Sequence, residues 1–188
     1  MARAYRLLEA GGIYHVTTSA TDGVVAFRND GDRLHFLQLL DRVVSRHRWL
    51  CQAYCLLGTH YHLLVETPAP DLSSGMHRLN GAYAQGFNKR DKRRGHLFGD
   101  RFTAVTVKSD GHLLHLSRYI ALNPVRAGLS ATPEGWEWSS YGATIGLRVP
   151  PPFLDADGVL GRFGRSRNVA RRRLRAFVEE ELQARHGV

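Results

Sequence analysis

The stretch Leu56–Thr67, LLGTHYHLLVET, is an apolar strand pattern that contains two histidines one residue apart. Side chains alternate between the two faces of a β-strand, so His60 and His62 share one face and Tyr61 lies on the other. The strand rise of about 3.3 Å per residue puts the two histidines roughly 7 Å apart at the backbone. Two imidazoles that point the same way can bind one metal ion. A pair of half-buried histidines satisfied by hydrogen bonds fits the same pattern.

The sequence around this strand predicts an alternation of strands and helices. Gly58-Thr59 predicts a tight hairpin turn, and Pro124 is expected to end the third helix. The order strand, helix, hairpin, helix, strand, helix predicts an α+β fold with a ferredoxin-like split βαβ antiparallel sheet and helices on one face. Strands are predicted over 13–18, 49–57, 60–67 and 101–108, and helices over 30–48, from Asp71 or Ser73 past Phe87, and over 112–123.

The C-terminal part of the chain differs in composition from the rest. Val149–Pro152, VPPP, indicates a stiff linker, so we divide the chain into a first domain over 1–148 and a linker with a basic helical tail over 149–188. A short helix is expected over 155–163, and Asn168 is expected to cap a longer one. The basic face of the longer helix suits a nucleic-acid groove or a hairpin stem. It is equally compatible with a solvated helix that closes the core.

The chain of 188 residues carries a formal net charge of +9 with a pI near 10.1, which favours a polyanionic partner. The basic residues concentrate in 88–101 and 161–188. No run of about eighteen apolar residues occurs, so no membrane span is expected, and the N-terminus does not read as a signal peptide. Cys51 and Cys55, on one face of a predicted strand, are interpreted as small buried residues in a reducing compartment. We therefore expect a cytoplasmic protein.

Two polar residues of the third predicted helix complete a possible site. Tyr119 and Asn123 are four residues apart, so they lie on one helix face. Asn123 can supply a third ligand to a metal ion held by His60 and His62, while Tyr119 points its phenol at a phosphate. Because a tyrosine has a pKa of about 10, it is a poor nucleophile until a cation stabilises its anion. A metal ion also polarises the phosphate.

These residues resemble a known family. Thr59–Val65, THYHLLV, resembles the His-hydrophobe-His motif of HUH endonucleases, and Tyr119–Leu129, YIALNPVRAGL, resembles the tyrosine helix of bacterial REP-associated tyrosine transposases. Gly95–Phe102 and Tyr14–Thr17 are similar to other stretches of that family. The resemblance covers about residues 5 to 145, and it implies that the first domain is an HUH-type transposase or endonuclease domain.

The resemblance implies a single-strand DNA endonuclease and strand transferase that uses Mg²⁺ or Mn²⁺. Tyr119 would attack the phosphorus, form a 5′-phosphotyrosine and release a 3′-hydroxyl that can later reverse the reaction. The metal ligands would be His60, His62 and Asn123. The implied partners are single-stranded or hairpin DNA with REP-like palindromes, the protein being a monomer or a homodimer. The implied location is the cytoplasm, in association with the nucleoid.

The basic residues near the site and in the tail are expected to contact the DNA backbone, and aromatic residues such as Phe98 and Phe102 are expected to stack on splayed bases. The expected phosphate contacts are Arg90, Arg93, Arg94, Arg101, Arg118, Arg126, Arg171, Arg172 and Arg175.

Two other functions fit parts of the pattern. A domesticated relative could bind hairpin DNA without cleaving it. A zinc-dependent hydrolase would require a third His, Cys or carboxylate ligand, and Glu66 is the only acidic residue on the histidine face. Tyr61, in the middle of the motif, is a second tyrosine near the site, but its strand position points it away from the histidines. His115, one turn before Tyr119, is expected at the surface or facing DNA.

Overall fold

A four-stranded antiparallel sheet forms the centre of the protein, whose computed structural model describes residues 8–186. The strands are β1 (Gly12–Ser19), β2 (Leu50–Leu56), β3 (His60–Thr67) and β4 (Thr103–Thr106), in the order β2-β3-β1-β4. β1 pairs with both β3 and β4, and β2 pairs with β3. The predicted α+β class and split βαβ sheet are confirmed. The first residues of the predicted HUH-type domain, 1–7, and the last two of the tail lie outside the described residues.

Helices cover both faces of this sheet. They are α1 (Asp30–His47), α2 (Leu72–Arg90), α3 (Asp110–Arg126), α4 (Tyr141–Thr144), α5 (Asp157–Leu160) and α6 (Arg167–His186). α1 and α2 pack on one face, around Phe36, Tyr61 and Leu63, whereas α3, α5 and α6 pack on the other, around Leu64. The predicted placement of all helices on one face is therefore corrected. Because Leu63 and Leu64 point to opposite faces and both are fully buried, each face needs a covering layer.

The tyrosine helix α3 extends further than predicted. It begins after Ser109, whose side-chain oxygen accepts a hydrogen bond from the backbone N–H of His112 at 3.2 Å. The helix continues through Pro124 and its last residue is Arg126. Gly128, two residues later, has a φ of +67°. The backbone N–H groups of Gly128 and Leu129 donate to the carbonyls of Val125 and Pro124, at 3.0 and 2.9 Å. This is a Schellman motif, so the glycine rather than the proline ends the helix.

A β-bulge in β2 separates the two cysteines. The pairing of β2 with β3 shifts between Cys51 and Ala53, which leaves Gln52 as the extra residue. Cys51 consequently faces the α1 and α2 side, and Cys55 faces the α3 side, directly across from His62. The predicted position of both cysteines on one face is wrong because the extra residue reverses the alternation. Both thiols are free and buried, and burial raises the pKa of Cys51 to about 12.

The C-terminal segment packs against the sheet. Residue Leu154 forms a parallel bridge to Cys51 in β2, and Val159, Leu174 and Val178 are buried in the core beneath α3. The predicted C-terminal helix is thus present, while the division of the chain at residue 148 stays a prediction. Among residues 8–186, no helix has the length and apolarity needed to cross a membrane.

Candidate active site

The two histidines of β3 share one face of the sheet with two residues of β1. The ring centroids of His60 and His62 lie 5.2 Å apart, with His60 half-buried and His62 buried. The tight turn at Gly58-Thr59 starts β3 at His60, where the backbone N–H of Leu57 donates to the His60 carbonyl at 3.0 Å. Thr17 of β1 is the cross-strand partner of His62. The backbone thus holds the histidine pair against β1.

One ring nitrogen of His62 is engaged inside the protein and the other is not. Nδ1 of His62 lies 3.0 Å from Nε2 of His15 and 3.1 Å from Oγ1 of Thr17. Nε2 of His62 is buried and has no hydrogen-bond partner among the residues that the structure describes. A buried polar atom without a partner is costly, so this nitrogen is suited to a ligand. The bonds at Nδ1 fix the orientation of the ring, as second partners of metal-bound histidines do.

The electrostatics of the site keep these imidazoles neutral. Burial lowers the pKa of His15 to about 4, with a smaller contribution from nearby His112. Burial, together with the neighbouring imidazoles of His15 and His60, lowers the pKa of His62 to about 3. Burial also lowers the pKa of His60. Neutral imidazole is the protonation state that binds a metal ion, so the cluster is ready to bind one at neutral pH.

Tyr119 of α3 lies over His62 and His15 of its own chain. Its ring is edge-on to His62 and His15, at centroid distances of 5.5 and 5.8 Å. The guanidinium carbon of Arg126 lies 4.8 Å from the centroid of the Tyr119 ring, in a cation–π contact. Tyr119 is half-buried, so a phosphate that enters from solvent can reach it.

Asn123, one turn after Tyr119, supplies a second unsatisfied polar group. Its side chain is buried, and its Nδ2 atom has no hydrogen-bond partner within residues 8–186. The oxygen and nitrogen of an asparagine amide are assigned from their hydrogen bonds, so the amide can present its oxygen instead. Buried, unpartnered atoms of Asn123 and His62 on neighbouring elements fit a divalent cation.

A zinc hydrolase would need a third His, Cys or carboxylate ligand beside the two histidines. In the described part of the chain, no group of three or more His, Cys, Asp or Glu residues is arranged to hold a metal ion. Glu66 shares the histidine face but is four residues beyond His62, or about 13 Å along the strand. Its carboxylate instead accepts a hydrogen bond from Nε2 of Gln52 at 3.3 Å.

Tyr61 lies on the opposite face of the sheet, as the alternation of the strand predicts. Its side chain is fully buried, and its hydroxyl donates a hydrogen bond to Oδ1 of Asn80. Burial raises its pKa. Tyr61 is therefore a core residue and not a second nucleophile.

Two arginines predicted to contact DNA are bound to the C-terminal helix. Glu181 of α6 forms ion pairs with both Arg118 and Arg126 of α3, at 2.9 Å between Nε of Arg118 and Oε2 of Glu181. The guanidinium carbon of Arg118 also lies 4.1 Å from the ring centroid of Phe177. One carboxylate thus holds the arginines on either side of Tyr119 and ties the tyrosine helix to α6.

The other predicted DNA contacts divide into paired and exposed residues. Arg90 forms an ion pair at 2.6 Å with the fully buried Asp32, and Arg93 donates hydrogen bonds to Oδ1 of Asn88 and to the carbonyl of His96. Phe102 is only 7% exposed, so it is part of the core. The residues that remain available to DNA are the exposed Arg94, Arg101 and Arg172, while Arg171 and Arg175 are half-buried.

Sequence analysis did not assign His15 and Thr17 to the site. Their signal was present in the chain, since they are two residues apart on a strand and therefore share a face. What the sequence did not contain was the pairing that sets Thr17 opposite His62. The role of Glu181 has no local signal, because it contacts a helix more than fifty residues earlier in the chain.

Comparison with known proteins agrees with this arrangement. The model of the family described as "Transposase IS200 like" matches residues 11–123. A putative REP-associated tyrosine transposase of Haemophilus influenzae is 24% identical over 169 residues, which cover 80% of this chain and 92% of that protein.

A solved structure of a REP-associated tyrosine transposase bound to a REP hairpin has the same fold, with a TM-score of 0.69 at 17% identity. The match covers 81% of this chain and 90% of that one. The resemblance found in the sequence is confirmed. Because the family match spans more than half of the chain and includes both histidines and Tyr119, this chain belongs to the IS200-like transposase family.

Proposed function

We propose that this transposase is a metal-dependent single-strand DNA endonuclease and strand transferase that acts on hairpin-forming DNA. The observation that carries the proposal is the position of Tyr119 over His62 of its own chain, with 5.5 Å between the two ring centroids. His62 keeps Nε2 unpartnered among the described residues, on a ring whose other nitrogen is already bonded. A nucleophile and two neutral ligands therefore meet in one site.

In the proposed reaction, the phenol oxygen of Tyr119 forms a bond to the scissile phosphorus, and the bond from phosphorus to the 3′-oxygen breaks. The phenol loses its proton and the leaving oxygen gains one, so a 5′-phosphotyrosine and a 3′-hydroxyl result. Arg126 holds the ring of Tyr119 through a cation–π contact. The phosphotyrosine retains the energy of the phosphodiester, so a 3′-hydroxyl can reverse the step at another end without ATP.

His60, His62 and Asn123 would hold the metal ion, either Mg²⁺ or Mn²⁺. Imidazole ligands favour Mn²⁺ over Mg²⁺. When bound, the cation polarises the scissile phosphate and offsets the charge that develops on it. His15 and Thr17 contact Nδ1 of His62 and so fix its ring, which leaves Nε2 as the nitrogen that would bind this ion.

The proposed substrate is a REP-like imperfect palindrome folded as a hairpin. The similar solved structure is bound to a REP hairpin, and the net charge of +9 here suits a nucleic-acid backbone. Exposed Arg94, Arg101 and Arg172 are the first candidates for phosphate contacts. Each chain carries its own tyrosine beside its own histidines, an arrangement compatible with a monomer and with a homodimer. For a DNA substrate we propose a location in the cytoplasm, at the nucleoid.

A cleavage assay on a labelled single-stranded DNA that carries a hairpin tests this proposal. Wild type, Tyr119→Phe and the control Tyr61→Phe are incubated with Mn²⁺ or EDTA, and denaturing gels detect a covalent adduct. We expect the adduct with wild type and Tyr61→Phe in Mn²⁺, and none with Tyr119→Phe or in EDTA. An adduct with Tyr119→Phe would contradict the assigned nucleophile. Tight hairpin binding without any adduct would identify a hairpin-binding protein that does not cleave.

A further inference from the structure

Glu181 of α6 is linked to the candidate nucleophile through one arginine. Its Oε1 atom accepts a hydrogen bond from Nη2 of Arg126. The guanidinium carbon of the same arginine lies 4.8 Å from the centroid of the Tyr119 ring. The side chain of Glu181 is only 19% exposed, so little water competes for its carboxylate. A half-buried anion on the C-terminal helix therefore binds the cation that contacts the tyrosine.

The geometry of α3 brings Arg126 back to Tyr119. Arg126 follows Tyr119 by seven residues, which is about 700° of rotation or almost two helical turns, so both lie on one side of the helix. Helical side chains lean toward the N-terminus, so the long side chain of Arg126 extends toward Tyr119. Arg126 is also the last residue of α3, where the free carbonyls of the helix end attract a cation. The arginine thus has a competing position away from the tyrosine ring.

The carboxylate of Glu181 is itself fixed from two sides. While Oε1 binds Arg126, Oε2 lies 2.9 Å from Nε of Arg118. Because both oxygens are engaged, the orientation of the carboxylate is defined, and with it the position of the Arg126 guanidinium. A guanidinium bonded to Glu181 in this position is held over the tyrosine ring and away from the carbonyls at the end of α3.

The packing of α6 does not depend on this carboxylate. Ala170, Leu174 and Val178 recur at a spacing of four and are at most 3% exposed, in the apolar cluster that also contains Ile120 of α3. The backbone carbonyl of Phe177 accepts a further hydrogen bond from Nη1 of Arg118, at 3.3 Å. Removal of the charge of Glu181 is therefore expected to leave α6 in place, so its effect on the reaction can be measured in a folded protein.

We propose that Glu181 is a positioning residue for the cleavage reaction, which keeps Arg126 over the ring of Tyr119 and so keeps the tyrosine in its orientation beside His62. The inference rests on the proposed function and adds a residue of the C-terminal helix to it. Glu181 acts through Arg126, so its loss slows the attack of Tyr119 on phosphorus rather than the binding of DNA or metal. A nucleophile displaced by about 1 Å can lose about 100-fold in rate.

Single-turnover cleavage at saturating hairpin DNA and saturating Mn²⁺ measures this step. Glu181→Gln keeps the size of the side chain and removes its charge, and we expect the Tyr119 adduct to form about tenfold more slowly than in wild type. The dissociation constant for DNA and the Mn²⁺ concentration for half-maximal cleavage should each change by less than about twofold. Glu179→Gln is the matched control, because it makes the same charge change at an exposed position of α6 and should cleave at the wild-type rate.

A double-variant comparison tests whether Glu181 acts through Arg126. Arg126→Gln should slow adduct formation by itself, and Arg126→Gln combined with Glu181→Gln should be no slower than Arg126→Gln alone, because both changes remove one link. Losses that add would contradict this route. Arg126→Gln also decides the question if Glu181→Gln does not fold, since an unchanged rate in Arg126→Gln would overturn the inference.

Urea denaturation separates positioning from a purely structural role. A structural role would lower the free energy of unfolding of Glu181→Gln and leave the single-turnover rate of the folded protein unchanged. A folded Glu181→Gln that forms the adduct at the wild-type rate or faster would therefore overturn the inference while the cleavage function stands. A wild type that forms no Tyr119 adduct would overturn both.

Discussion

Nε2 of His15 lies 3.0 Å from Nδ1 of His62. His15, which is not an expected metal ligand, therefore orients the expected ligand His62. Such second partners typically contribute about 10- to 100-fold in metal affinity or activity. We expect His15→Ala to raise the Mn²⁺ concentration needed for half-maximal cleavage by about this factor. The loss of cleavage activity should be smaller when Mn²⁺ is saturating. His115→Ala, which removes an exposed imidazole of α3, is the matched control. An unchanged Mn²⁺ dependence of His15→Ala would refute this role.

The buried histidines predict how stability depends on pH. Burial lowers the pKa of His15 to about 4 and of His62 to about 3, from about 6.5 in the unfolded chain. Between these values the unfolded chain binds protons that the native chain does not. Their contribution to stability is therefore complete above about pH 6.5 and is lost as the pH falls toward the folded values.

In EDTA, we expect the free energy of unfolding to fall by about 1 to 2 kcal/mol per buried histidine between about pH 7 and about pH 5. Urea denaturation at several pH values measures this change. The free energy of unfolding should depend less steeply on pH in His15→Gln, because this variant lacks one of the two buried histidines. Equal slopes for wild type and His15→Gln would contradict the assignment.

Two neighbouring arginines are expected to differ in function. Arg94 is exposed, so Arg94→Ala should reduce the slope of log K against log salt by about one and leave stability unchanged. Arg90 pairs with the fully buried Asp32, so Arg90→Ala should lower the free energy of unfolding by about 1 to 3 kcal/mol. Binding titrations at several salt concentrations and urea denaturation test both. A larger salt effect for Arg90→Ala than for Arg94→Ala would contradict this division.

Replacement of two glycines of α2 by alanine is expected to change the free energy of unfolding in opposite directions. A Cβ atom at Gly81 meets nothing within 4 Å, so Gly81→Ala should raise the free energy of unfolding by about 0.5 to 1 kcal/mol. At Gly75 the Cβ atom would lie 2.2 Å from the Trp49 ring. Gly75→Ala should therefore lower the free energy of unfolding by about 1 to 3 kcal/mol. Urea denaturation of both variants provides the measurement. A destabilised Gly81→Ala would show that Gly81 has a structural role inside the fold.

The strands, the first helices and the histidine face could be predicted because their signals are local. Alternation in Leu56–Thr67 specified which side chains share a face, and the structure has His62 and Leu64 on one side and Tyr61 and Leu63 on the other. The spacing of Tyr119 and Asn123 likewise placed both on one helix face. Each of these inferences needs only the geometry of a single element.

The predictions that were wrong depended on contacts between elements or on small irregularities. One extra residue at Gln52 reversed the orientation of Cys55, and no pattern of apolar residues reveals a bulge. Pro124 lies inside α3 because the chain closes the helix with Gly128, one turn later. Charge patterns also did not show that Arg90 pairs with Asp32, far away in sequence, and its contact with DNA stays a prediction.

The position of Glu181 near the end of the chain has a consequence for synthesis. Glu181 forms ion pairs with Arg118 and Arg126 of α3. It belongs to α6, which follows every other element of the described chain. During translation, the sheet and both histidines leave the ribosome well before it. Until α6 has been made, the nascent chain therefore carries both histidines while Arg118 and Arg126 still lack the carboxylate of Glu181. On this arrangement, the helix that carries Tyr119 gains its ion pairs to Glu181 only once α6 has been made.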